Sequence, residues 1–110
     1  TVSIFNIFSL AKIAFWVAQY QPKFFYVNTL FDPDYFNIQT LPKNVKDIVN
    51  TRYSMLTDFK PTLNFMNAAD RDTAETRKQR LDRILTTDAY RHENFGDVFP
   101  LLNKVLQIYE

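Results

Sequence analysis

The sequence has no cysteine, one glycine and one histidine in 110 residues. Without a thiolate the chain makes no disulfide, offers no cysteine nucleophile and holds neither a thiolate metal site nor an iron–sulfur cluster by itself. The lone glycine, Gly96, excludes the glycine-rich phosphate loops, whose backbone must come close to the ligand. A net excess of charge of either sign is also lacking. Thirteen Lys and Arg against twelve Asp and Glu leave a net +1, so no global field draws the chain toward nucleic acid or an anionic membrane. A membrane-length apolar run is missing too. Val2 to Ala18 is largely apolar, but it is short and is interrupted by Asn6, Ser9 and Lys12. A cytoplasmic chain with neither a nucleic-acid nor a membrane partner is expected. The chain begins at Thr1 rather than Met, for which an engineered boundary, processing or an incomplete reading frame each account.

What the sequence has in quantity is aromatic side chains: eleven Phe, six Tyr and one Trp. They concentrate in the first third, where the only charges through Thr40 are Lys12, Lys23, Asp32 and Asp34. The pattern predicts a buried first third followed by an amphipathic helical remainder, in a single domain or domain fragment over residues 1–110.

Thr1–Phe5 reads as a short strand ended by Asn6. Ser9 is placed to cap a helix carrying Leu10, Ile13, Ala14, Val17 and Ala18 at helical spacing. Phe15 and Trp16 widen that stripe, so the helix is expected to be covered over much of its circumference. Gln21-Pro22 closes it. Phe24–Phe31, aromatic and β-branched, reads as a second strand buried on both faces, stopped by Asp32-Pro33-Asp34. Strand, helix and strand within about thirty residues form a β-α-β unit with parallel strands and a right-handed crossover. The expected fold class is therefore α/β, with the unit over 1–40 and three or more helices over 41–110.

Tyr35–Thr40 reads as a connector. Pro42 opens a helix at its first position, with Val45, Ile48, Val49, Tyr53 and Leu56 on one face, and Lys60-Pro61 breaks it. A helix with Leu63 and Met66 follows, continuous with or close to the polar stretch Asn67–Gln79. Ala74, Leu81, Ile84 and Leu85 form a narrow stripe, Thr86–Gly96 a polar turn region, and Leu101, Leu102, Val105, Leu106 and Tyr109 a last helix.

Few residues suggest chemistry. His92 beside Glu93 has the groups of a general base, but no nucleophile or second ligand accompanies it, and a solvent-facing loop histidine is the plainer reading. Arg71, Arg77, Arg80 and Arg83 alternate with Asp70, Asp72, Glu75 and Asp82, the pattern of a solvated helix rather than a phosphate-binding face. Asp32 and Asp34 stand too close along the chain for a glycosidase pair and suit a turn. Asn6 and Asn28 fall near the C-terminal ends of the expected parallel strands, where α/β sheets gather ligands. They are the candidate substrate- or cofactor-facing residues; the alternative is amides satisfying loop backbone. No catalytic residue and no metal ligand is assigned.

Thr1–Asn6, the helix opening at Ser9-Leu10, Tyr26–Pro33 and Tyr35–Pro42 together resemble the last barrel strands of radical S-adenosylmethionine proteins of the twitch-domain type. Leu81-Asp82-x-x-Arg and Phe99-Pro100-Leu101 are similar to their closing helices, except that Leu101 stands where Glu is usual. The resemblance implies a partial TIM-like barrel, S-adenosylmethionine and a [4Fe–4S] cluster held by a CxxxCxxC motif near the barrel's start. That motif is absent here. The chain then corresponds to the C-terminal part of such an enzyme, contributes barrel wall and covering helices, and is catalytically incomplete alone. A parallel pair with open edges asks for further strands in any case, so the expected partner is the remainder of a larger barrel or a second copy. The alternative is a small non-enzymatic α/β interaction module that buries its edge by self-association.

Overall fold

The computed structural model describes residues 1–23 and 26–108. Among the described residues six helices follow one another: α1 Leu10–Tyr20, α2 Lys43–Tyr53, α3 Lys60–Ala68, α4 Ala74–Arg91, α5 Phe95–Val98 and α6 Pro100–Leu106. Short 3-10 turns at Ile7–Ser9, Asp34–Phe36, Ile38–Thr40 and Thr57–Phe59 lie between them.

The expected α/β fold is corrected. The protein is helical, and among the described residues there is no sheet. The β-α-β unit is reduced to one isolated parallel bridge between Val2 and Thr29. Val2 N–H donates to the Asn28 carbonyl at 2.7 Å, and Leu30 N–H donates to the Val2 carbonyl at 2.8 Å. The ladder stops there because Ser3 and Asn6 turn the backbone away. Ser3 N–H donates to Asn6 Oδ1 at 2.9 Å and Asn6 N–H to the Ser3 carbonyl at 3.3 Å, a local side-chain bond that competes with strand pairing. Ile4 N–H reaches the Phe36 carbonyl at 3.2 Å. Phe24 and Phe25, which open the expected second strand, lie outside the described residues. With no sheet, the partial barrel implied by the resemblance is also absent among the described residues.

The core gathers around the segment that reads as a connector. Residues 37–41 are all buried. Ile38 and Leu41 pack with Ile4, Ile7 and Leu10 from the first third, with Val45, Val49 and Tyr53 of α2, and with Met66 of α3. Each such side chain contributes roughly 1.5–3 kcal/mol by leaving water. The polar groups of the segment are used to fasten neighbours. Asn37 Oδ1 accepts from Gln39 N–H at 2.9 Å, and Gln39 Nε2 donates to the Phe65 carbonyl of α3 at 2.8 Å. The Gln39 carbonyl accepts from Arg71 N–H at 3.1 Å. Thr40 Oγ1 donates to the Asn37 carbonyl at 2.6 Å and accepts from Arg80 of α4 at 3.1 Å.

Several element boundaries differ from expectation. Pro42 is the N-cap of α2 rather than its first helical residue. On that helix Lys46 takes a buried place and Ile48 turns outward, because the Lys46 ammonium finds the Ala69 carbonyl at 3.0 Å. α2 ends at Tyr53, before Lys60-Pro61, and Pro61 lies in the first turn of α3. Residues 69–73 separate α3 from α4, which then continues unbroken through Arg91 across the expected polar turn.

Candidate functional site

Three places in the molecule concentrate chemistry. The first is buried. Arg80, 3% exposed, projects from α4 to Thr40 and has no carboxylate in ion-pair contact among the described residues. Burial lowers its guanidinium below the ordinary arginine value, and Asp72 opposes that shift. Close by, Asn37 Nδ2 and Gln39 Oε1 are buried without a hydrogen-bond partner. Burial likewise lowers the Lys46 ammonium, opposed by the attraction of Asp70 and Asp72. This cluster ties α2, α3 and α4 to the central segment.

The second is α1. Leu10 is its one fully buried residue. Phe15 is 69% exposed, Trp16 50% and Tyr20 63%, and Tyr26 beyond the helix is 78% exposed. Trp16 and Tyr20, one turn apart, have ring centroids 5.4 Å from each other. The helix that was expected to be covered on most sides therefore presents an aromatic face to solvent, and Lys12 is its only charge. Large exposed apolar patches of this kind mark interaction surfaces.

The third is a groove of about 570 Å³ between α4 and the α5–α6 corner. Its floor is Phe5, Phe36, Phe95 and Phe99. Phe5 is the hub of that floor, with centroid distances of 4.7 Å to Phe36, 5.5 Å to Phe99 and 6.2 Å to Phe95. Its wall is one stripe of α4, where Arg83, Thr87 and Arg91 recur every four residues with Ile84 and Asp88 beside them. Asp88 is engaged, since its Oδ2 accepts from Phe95 N–H at 2.7 Å. Arg83 and Arg91 are exposed and make no ion pair or hydrogen bond among the described residues. Glu93 stands at the rim.

Of the residues singled out in the sequence, Arg83 and Glu93 line that groove, whereas Asn6, Asn28, His92 and Asp34 do not. The Asn6 side chain bridges the Ser3 N–H and the Thr1 carbonyl, the latter at 2.9 Å, as a loop-satisfying amide. Asn28 is exposed and receives Val2 through its main-chain carbonyl. His92 is the exposed left-handed C-cap of α4. Asp34 accepts from Arg71 at 3.2 Å. The groove arginines were hidden by an early end to α4: stopping the helix at Thr86 breaks the Arg83–Thr87–Arg91 register. The absence of Gly or Pro from residues 74–95 was the signal that α4 continues past Thr86.

No group of three or more His, Cys, Asp or Glu side chains able to hold a metal ion occurs among the described residues. No helix among them is long and apolar enough to cross a membrane. No family model, curated protein or solved structure matches the chain.

Proposed function

We propose that the chain is a non-catalytic part of a larger assembly and, following the sequence resemblance, the C-terminal part of an enzyme of the radical S-adenosylmethionine type. The observation that carries the reading is α1. An apolar helix that fully buries only Leu10, packs Ile13 and Ala14 partly against the core and presents Phe15, Trp16 and Tyr20 is built to be covered. The isolated parallel bridge between Val2 and Thr29, with α1 between them along the chain, leaves backbone beside it for further chain to pair with. The chain's own residues do not fit the cluster of such enzymes. It has no cysteine, and its single histidine caps α4. No step of radical chemistry is assigned to it. The contribution is structural, through α1 and the extended segments around it. The coding sequence upstream of Thr1 tests the proposal. An in-frame CxxxCxxC motif about two hundred residues earlier supports it; a stop codon directly before Thr1 overturns it.

A second reading is favoured by the near-absence of charge on α1. A helix carrying only Lys12 has neither the cationic polar face of a membrane-surface helix nor a pattern complementary to a charged partner. A second copy of the same face meets that requirement, which makes the protein a self-associating interaction module.

A further inference from the structure

The groove beside α4 belongs to neither reading and carries an inference of its own. We propose that it binds a small organic anion with a flat aromatic body, an aromatic carboxylate or sulfonate, with its ring on the phenylalanine floor and its charge held by Arg83 and Arg91. Three observations carry this. The hollow, at about 570 Å³, falls within the range of small-molecule sites. Its floor offers the ring faces and edges of Phe5 and Phe99, tilted to each other with centroids 5.5 Å apart, and a flat ring gains from such contacts. Its wall carries two guanidinium groups that no carboxylate among the described residues neutralises. A guanidinium fork matches a carboxylate or sulfonate in shape and charge.

Arg83 and Arg91 match Asp88 and Glu93 in formal charge, so the preference for an anion rests on how the two acids are placed. Asp88 points its carboxylate at the Phe95 N–H and is occupied in holding the corner between α4 and α5. Glu93 is the remaining acid at the rim and repels an anion. The two arginines and Glu93 are therefore expected to act in opposite directions on binding, a pattern that nonspecific adsorption to an apolar surface does not give.

The probe is 2-naphthoate, with the neutral isostere 2-naphthylmethanol as its control, titrated into the full chain and followed by amide NMR shifts. Saturable binding is expected, with shifts confined to residues of the groove. Arg83→Gln and Arg91→Gln should each weaken naphthoate about tenfold, the worth of a charge-assisted hydrogen bond, and Glu93→Gln should tighten it. All three positions are exposed, so the variants should keep the wild-type amide spectrum elsewhere, and that spectrum checks it. Equal affinity for the alcohol, shifts centred on Trp16 and Tyr20 of α1, weakening by Glu93→Gln, or no saturation at millimolar probe would each overturn the proposal. None of these outcomes depends on whether α1 docks on further chain or on a second copy.

Discussion

At the residue scale the molecule depends on a few polar side chains set where apolar ones are usual. Arg80 is almost wholly buried and donates to one acceptor, Thr40 Oγ1. A guanidinium stays charged in proteins, so removing that acceptor leaves a buried cation with nothing to bond. Thr40→Val keeps the shape and takes away the hydroxyl. The expected cost is about 2 kcal/mol, at the level of hydrogen bonds to charged groups, read as a lowered denaturant midpoint; an unchanged midpoint would show that Arg80 is satisfied without Thr40. Asp72 supplies a pH signature. Arg77 Nε donates to Asp72 Oδ1 at 2.6 Å, and Nη2 meets the other carboxylate oxygen. These bonds hold the carboxyl below its ordinary value against the cost of burial, with help from the charges of Arg77, Arg80 and Lys46. A carboxyl depressed in the folded state stabilises above its unfolded pKa of about 3.9 and loses that contribution as pH falls through the folded value. Asp72→Asn should therefore be less stable than wild type at pH 7, with the gap closing below about pH 4. A difference that stays constant across that range would assign the effect to packing rather than ionisation.

At the scale of elements, α4 determines the shape of the C-terminal half. It starts at Thr73, whose Oγ1 accepts from Thr76 N–H at 3.1 Å while Thr76 Oγ1 accepts from Thr73 N–H at 3.0 Å. Thr76 is itself buried and donates toward the carbonyls of Arg71 and Thr73. Thr73→Ala should cost about 1 kcal/mol and Thr73→Ser much less, the usual balance for an N-cap; thermal unfolding of the two variants distinguishes them, and equal loss in both would rule out the cap. Helices were the legible part of this fold. α1, α2 and α6 follow from the spacing of Leu10, Ile13 and Val17, of Val45 and Val49, and of Leu102 and Val105, because one apolar stripe per helix is what packing requires. The centre was not legible. Asn37-Ile38-Gln39-Thr40 has a single apolar residue and no periodicity, and its burial depends on partners far along the chain: Phe65, Arg71 and Arg80. The strands failed for a related reason. Phe24–Phe31 has strand composition, but β-propensity expresses packing against neighbours, and here Thr29 meets Val2 alone while Tyr26 and Phe31 stay in solvent. The groove needed the full length of α4, which its polar second half concealed.

At the scale of the whole molecule the open question is what covers α1. Phe15, Trp16, Tyr20 and Tyr26, each at least half exposed, together offer on the order of 500 Å² of side chain to water, given the 150–250 Å² of an aromatic residue. That is a large share of the roughly 800 Å² each partner buries in a standard interface. At about 25 cal/mol per Å² its burial is worth on the order of 10 kcal/mol, gross of the roughly 4–15 kcal/mol that association costs in lost freedom. In a two-fold pairing, the simplest closed form, both copies bury this face, which doubles the gross gain to roughly 25 kcal/mol and leaves on the order of 10 kcal/mol after the cost of association, enough for association measurable at micromolar concentration. Sedimentation of the isolated chain should show a sedimentation coefficient that rises with concentration. Trp16→Glu should abolish that rise while leaving the helical circular-dichroism signal intact, because Trp16 contributes to the surface rather than to the buried core, and a charge in a desolvated contact is costly. A concentration-independent monomer in the wild type would mean that α1 meets a different partner. Dependence that survives Trp16→Glu would move the interface off α1, and with it the observation on which the proposed function rests.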